Sequence, residues 1–296
     1  MDRNHSDSKV KPILAYLKES AKFYELDKPM PARIIFLLEL AVLFGGYLFA
    51  RPYTLDVFKY FEQLTNQLQG QLSLGSLNMS ILNSDVYKNM INALFAVLLI
   101  YVVIRSLSFI IALFFGAHYF FGLTNPEMSG GARASLFLSR LPKIIIFNIL
   151  FYIAFYITVF LLVIIIGIII MIIPMLQFVT FLVPLAVMAL STLFIFKDLL
   201  IIEFDIGVFK NFKKSLELTR SSRKNIIINM MWPFAIGWLL NAFAIDVNNA
   251  ALSIFISAFL EVIIILIGQR LSVLMFIDAA SIERKDKKVR SINTII

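Results

Sequence analysis

Long runs of apolar side chains, separated by short polar segments, set the pattern of this chain. A helix that crosses a bilayer takes about 20 mostly apolar residues. Arg33–Ala50 is the first segment that meets this, and Met90–Leu123 is the second. From Ile144 to Phe196 no charged residue occurs over 53 residues. That is too long for one crossing and suits two, with a turn expected at Pro174 and Gln177, because proline lacks a backbone donor and disfavours helix just before it. Asn225–Ile245 and Ala250–Ile277 come next, joined by Asp246-Val247-Asn248-Asn249. The expected fold is all-α, a polytopic membrane protein with six transmembrane helices in a single integral membrane domain, 1–296. The first apolar run comes after a charged leader, and Arg51-Pro52 stands behind it where a signal peptide would carry small residues, so it reads as a retained helix.

Polar segments carry a second periodicity. In Ile13–Leu26 the apolar positions 13, 14, 17, 21 and 24 have helical spacing, with Lys and Glu opposite. Phe209, Phe212 and Leu216 form a similar stripe beside Lys210, Lys213 and Lys214. Helices that are basic on one face and apolar on the other lie in the headgroup layer. Between Arg51 and Asn89, the positions Val57, Phe58, Phe61, Leu64 and Leu68 give one apolar stripe. They predict an amphipathic helix on the outer leaflet, leading into a polar connector.

Composition narrows the class. Hydrophobic residues make up 60% and charged residues 16% of the chain, whereas a soluble domain is about a quarter charged. A water-soluble enzyme is thereby excluded. There is no Cys and there are only two His, His5 and His118, so neither a disulfide framework nor a metal site is expected. No nucleophile motif, phosphate loop or useful carboxylate pair occurs either, so no catalysis and no cofactor are expected.

The charges are one-sided. On the expected topology 22 of the Lys and Arg residues fall on one face and only Arg51, Lys59 and Lys88 on the other. Such a bias marks the cytoplasmic side, which places both termini inside and the chain in the cell membrane. The net charge of +8 then implies membrane lipids as partners, with anionic headgroups on the cytoplasmic face. The pattern also leaves room for a protein partner or a homo-oligomer. Nucleic acid is not expected, since no basic and aromatic surface of that kind is present.

Two cytoplasmic segments repeat. Ser135-Leu136-Phe137-Leu138-Ser139-Arg140 leads to Lys143, an Ile triplet and Asn148. Ser215-Leu216-Glu217-Leu218-Thr219-Arg220 leads to Lys224, an Ile triplet and Asn229. The offset is 80 residues, slipping by one to two after the Arg. With the N-terminal helix as a fainter copy, three hairpin units are expected, each preceded by an amphipathic helix. They are 10–123 (with the outer segment 51–89), 124–202 and 203–282, and a basic tail, 283–296, completes the chain.

The stretch from Glu203-Phe204-Asp205-Ile206-Gly207-Val208-Phe209 to Lys213-Lys214-Ser215-Leu216-Glu217-Leu218-Thr219-Arg220 resembles a bacterial pattern. It is similar to the membrane domain that accompanies some glycerophosphoryl diester phosphodiesterases, a family that also includes stand-alone membrane proteins. The resemblance implies a bacterial plasma-membrane module close to lipid or envelope metabolism. It does not imply phosphodiesterase activity, because the tail after Ile277 has no room for the catalytic barrel.

Four ionisable residues fall inside the expected spans: Glu39, Arg105, Glu261 and Arg270. Such residues are expensive in hydrocarbon and usually have a partner or a role. Glu261 and Arg270 are nine residues apart and point to different sides of one helix. Arg105 is expected to pair with Glu39 or Glu261, either to fix packing or to line a polar path, and Arg270 lies near enough to the inner end of its span to snorkel. Two functions fit these features: a non-catalytic accessory module acting through lipid and protein contacts, or a component of a small-solute or ion transporter or channel.

Overall fold

A computed structural model describes residues 8–24, 29–73, 84–173, 175, 180, 183–242 and 249–286. All regular structure among these residues is helical: α1 (Leu14–Ala21), α2 (Pro29–Ser73), α3 (Asp85–Thr124), α4 (Gly130–Ile172), α5 (Val183–Thr192), α6 (Lys197–Phe204), α7 (Val208–Arg220), α8 (Arg223–Ala242) and α9 (Ala250–Ala280). Four of these helices, α2, α3, α4 and α9, are long and apolar enough to cross a membrane. The chain is therefore all-α and membrane-embedded.

Several elements differ from expectation for identifiable reasons. The first span does not end at Ala50: α2 runs on through Pro52 to Ser73. Proline in a helix removes one hydrogen bond, but the Leu, Gln, Lys and Glu beyond it are good helix formers. The expected interfacial helix of 51–68 is thus the continuation of the span. At 1.5 Å per residue the 45 residues of α2 measure about 68 Å, roughly twice a hydrocarbon core of ~30 Å. The second half of the uncharged run is also interrupted. Helix α5 stops at Thr192, four turn residues intervene, and α6 starts at Lys197. Helix α8 carries Pro233 and, at Arg223–Ala242, is 20 residues long. Neither the α5–α6 stretch nor α8 is counted among the helices able to cross. The turn expected at Pro174 and Gln177 and most of the Asp246–Asn249 connector lie outside the described residues, as do Leu26 and the tail beyond Asp286. Asn249 itself caps α9, its Oδ1 accepting from Ala251 N at 3.0 Å and Leu252 N at 3.3 Å.

The repeated motif adopts two backbones. The first copy, 134–148, lies inside the continuous helix α4, whereas the second, 214–229, passes from α7 to α8 through a turn at Ser221 and Ser222. The second copy has one more residue between its Arg and its Lys (220 to 224, against 140 to 143), and the turn absorbs it.

The chain divides into two compact units: Met1–Ala32, Leu113–Trp238 and Ile264–Ile296 form one, and Arg33–Ala112 with Leu239–Ile263 form the other. In the first unit, Phe120, Phe196 and Phe276 meet in the core, with the Phe276 centroid 5.7 Å from each of the other two. A Cβ on Gly116 would come within 2.9 Å of Gln269 Oε1, so α3 and α9 approach closely there. In the second unit, Ile35, Glu39, Leu43 and Ala50 form the buried face of α2. A Cβ on Gly46 would lie 2.5 Å from Ile104 Cγ1. The missing side chain lets the Ile104 side chain of α3 settle against α2.

Candidate functional sites

The second unit holds three of the four intramembrane ionisable residues. Arg105 on α3 donates through Nη1 to Glu261 Oε1 on α9, forming an ion pair. Tyr47 on α2 donates to the other oxygen, Glu261 Oε2, at 2.7 Å. The Arg105 guanidinium carbon stands 5.9 Å from the centre of the Tyr47 ring, and Tyr101 lies against the same ring at 5.8 Å. Both oxygens of Glu261 are thus engaged. Arg105 is 51% exposed along its side chain, so this pair lies open on one side.

Three residues after Arg105, and on the same face of α3, Ser108 donates to Glu39 Oε1. Glu39 is fully buried. Its second oxygen, Oε2, has no hydrogen-bond partner among the described residues.

Arg270 belongs to the first unit. It does not snorkel outward. It is buried, donates to the carbonyl of Lys22, and lies with its guanidinium carbon 4.1 Å from the centre of the Tyr119 ring.

The first unit has its own buried polar group, built at the α5–α6 break. Lys197 Nζ is 2.6 Å from Asp198 Oδ2 and 2.5 Å from Asn148 Oδ1. Asn148 Nδ2 donates to Asp198 Oδ1 at 2.7 Å and to Ile144 O at 2.9 Å. All three residues are buried. The ring of Phe151 lies 5.3 Å from the ammonium. Helix α7 closes the break. Asn211 Nδ2 donates to Lys197 O at 2.7 Å, and the hydroxyls of Ser215 and Thr219 donate to Leu193 O at 3.2 Å and 3.3 Å. These three residues, one turn apart, make the buried face of α7. Ser215 and Thr219 satisfy the Leu193 carbonyl, which the interruption leaves open, and Asn211 ties α7 to the start of α6.

Away from that face Phe209 is 89% exposed, and Lys210, Lys213, Lys214 and Arg220 are exposed along the helix. In helix α1, Tyr16 and Ser20 are buried while Leu14 is exposed. In α7 the polar face packs and the apolar stripe divides: Phe209 looks outward, while Phe212 lies 5.1 Å from Phe147 and 5.7 Å from Phe194.

Among the other motif residues, Arg140 Nη1 and Lys143 Nζ lie 2.6 Å and 2.7 Å from Asp205 Oδ1, and Lys143 also donates to Asp205 O at 2.8 Å. Asp205 ends α6 in the left-handed region, at φ 48°. Asn229 is buried and donates to Lys11 O at 3.0 Å and to Met275 Sδ at 3.4 Å. Ser135, Arg220 and Lys224 are exposed. The structure brings Arg140 and Lys143 together, and leaves Asn148 and Asn229 in separate networks.

Near the termini, Arg284 Nη2 donates to Glu19 Oε1 at 2.7 Å and to Asp286 Oδ2 at 2.8 Å, and Tyr119 Oη donates to Glu19 Oε1 at 3.1 Å. Burial raises the Glu19 carboxyl, but the hydrogen bond and charge of Arg284 outweigh it and hold Glu19 below its ordinary range. Tyr16 Oη donates to Asp278 Oδ2 at 2.6 Å. Burial, and then this bond, push the phenol well above its usual value.

Sequence reasoning missed Lys197, Asp198, Asn211, Tyr47 and Ser108. Lys197 and Asp198 stand where the uncharged run ends, and so read as the edge of a loop. For Ser108 a signal existed, its position one helical turn from Arg105.

Fold and sites together define a membrane-embedded helical protein with polar side-chain groups in each of its two units. No protein-family model matches the chain, and neither a curated protein nor a solved structure matches it. Among the described residues, no group of His, Cys, Asp and Glu is arranged to hold a metal ion.

Proposed function

We propose that this chain is a non-catalytic integral membrane module of the bacterial plasma membrane, with an accessory role in the envelope or in lipid handling, acting through lipid and protein contacts. The observation that carries this reading is the orientation of α7. Its Asn211, Ser215 and Thr219 face is fastened to backbone carbonyls, and Phe209 with three lysines is left outward. In water such an arrangement would waste an aromatic side chain. At a headgroup layer it seats the ring in the acyl boundary and the ammonium groups among phosphates. On α1, Leu14 is left outward in the same way.

Six crossings in three hairpin units, with both termini cytoplasmic, belong to this proposal. The 80-residue offset gains support beyond the motif: Phe196 and Asp198 recur as Phe276 and Asp278, and Glu203 as Glu283. Phe196 and Phe276 are both fully buried. The resemblance to the membrane domain of the glycerophosphoryl diester phosphodiesterase family stands on the same footing. In the structure its acidic turn residue, Asp205, is the anchor for Arg140 and Lys143.

The test uses the absence of native Cys. A single Cys in place of Phe209, carrying a spin label, is placed in vesicles of anionic and of zwitterionic phospholipid. The label is expected at headgroup depth in the anionic vesicles. A label that stays in water in both would overturn the reading.

A second reading, a component of a transporter or channel for a small solute or ion, is favoured by one observation, the half-open Arg105–Glu261 pair. If Arg105→Leu or Glu261→Gln abolishes flux in reconstituted vesicles while the protein stays inserted and folded, this reading replaces the first.

A further inference from the structure

Within the membrane-crossing parts of the second unit the only charged residues are Glu39 on 34–50, Arg105 on 89–112 and Glu261 on 250–263. Two carboxyl groups thus share the unit's crossing parts with one guanidinium. Arg105 is committed to Glu261, whose other oxygen is taken by Tyr47. Glu39 therefore has no cation of its own among the described residues. A carboxylate without a counter-charge in an apolar surrounding is so costly that the group takes up a proton instead. The hydrogen bonds agree with the charge count. A carboxylate offers about four acceptor sites, yet Glu39 receives one hydroxyl, from Ser108 on Oε1, and nothing from the described residues on Oε2. The carboxyl is fully buried, so bulk water does not supply the rest.

We propose that Glu39, positioned by Ser108, is a proton-binding site of the second unit. The neutral acid is the resting form: one proton from water adds to Oε2, and the site becomes uncharged. The groups whose fields reach Glu39 are Arg105 on α3 and Glu261 on α9, of opposite sign, while Ser108 is its hydrogen-bond partner. A metal cation is a poor occupant, because one carboxyl and one hydroxyl are too few oxygen ligands to replace its hydration shell. This inference requires only that α2, α3 and α9 lie in the membrane. It does not depend on where α7 sits, so either proposal can fail alone.

Infrared difference spectroscopy on the full chain in lipid vesicles tests it. At neutral pH the carbonyl stretch of a protonated carboxylic acid is expected. That band should vanish in Glu39→Gln, persist in Glu261→Gln, and move to higher frequency in Ser108→Ala, which removes its hydrogen bond. Sodium added at constant pH should leave it unchanged. Absence of the band from the native protein, or its survival in Glu39→Gln, overturns the proposal. Loss of the band on adding sodium overturns it in favour of a cation site. Should Glu39→Gln fail to insert, Ser108→Ala decides: a shifted band supports the site and an unmoved one sinks it.

Discussion

The buried Lys197–Asp198 group of the first unit and the half-open Arg105–Glu261–Glu39 group of the second make opposite use of charge. In the first unit one ammonium meets one carboxylate, and Asn148 bonds both, so Lys197 and Asp198 are balanced and well supplied with partners. In the second unit, Glu261 is satisfied by Arg105 and Tyr47, and Glu39 is left with a single hydroxyl. A saturated group has nothing to gain from an outside ion. It holds α4 to α6 across the place where the helix breaks. An undersupplied group is completed by a proton. The contrast assigns packing to the first and, on the proposal above, proton binding to Glu39.

The largest expected effect comes from breaking the balanced pair. Asp198→Ala leaves a buried ammonium without its counter-charge, and removing one partner of a buried pair costs about 3–5 kcal/mol. Thermal unfolding in detergent should register this as a marked fall in Tm. Replacing both, as Lys197→Met with Asp198→Leu, should restore most of the loss. Next comes Asn148→Ala, which removes a donor to Asp198 and an acceptor for Lys197 at once. Leaving such buried groups short costs about 1–3 kcal/mol.

A smaller loss of Tm is expected for Arg105→Gln, since that side chain is half exposed and Glu261 keeps Tyr47. Its signature is spectroscopic. With the only intramembrane cation of this unit gone, a second protonated carboxyl band should join that of Glu39. If Arg105→Gln destabilises more than Asp198→Ala, the contrast between the two groups is wrong.

The smallest effect concerns the clamp between the termini. The folded Glu19 carboxyl ionises more readily than its ordinary value of 4.5. Its contribution is therefore fully present above pH 4.5 and is lost as pH falls below that value through the folded one. Since the carboxyl is about a third exposed, the gain at neutral pH stays within ~1 kcal/mol. Glu19→Gln should leave Tm at pH 7 nearly unchanged and flatten its decline in acid.

How far these features could be read beforehand depends on the kind of signal. Four of the apolar runs became helices able to cross a membrane, because length and hydropathy are local properties. Glu39 was legible as an intramembrane charge, but its place on the packed face with Ile35 and Leu43 was not, since its neighbours on every side of the helix are apolar too. The break after Thr192 was not legible: Leu193-Phe194-Ile195-Phe196 contains neither Gly nor Pro, and the partners that stabilise it come from α7, some 20 residues later. The continuation of α2 was hidden by Pro52, which reads as a stop unless the helix formers beyond it outweigh the lost hydrogen bond. On α7 the spacing of Asn211, Ser215 and Thr219 was visible, but the apolar stripe was the stronger signal. The stripe itself divides, with Phe212 packed against Phe147 and Phe194 and only Phe209 left outward.

Helix α2 has one more consequence. It passes Pro52 and continues as one helix to Ser73, so a change of tilt would move it as a rod. Any tilt at the level of Glu39 is carried along the rod, and the sideways travel grows with distance from the pivot. Whatever grips the far end would sense rearrangements deep in the bilayer, magnified.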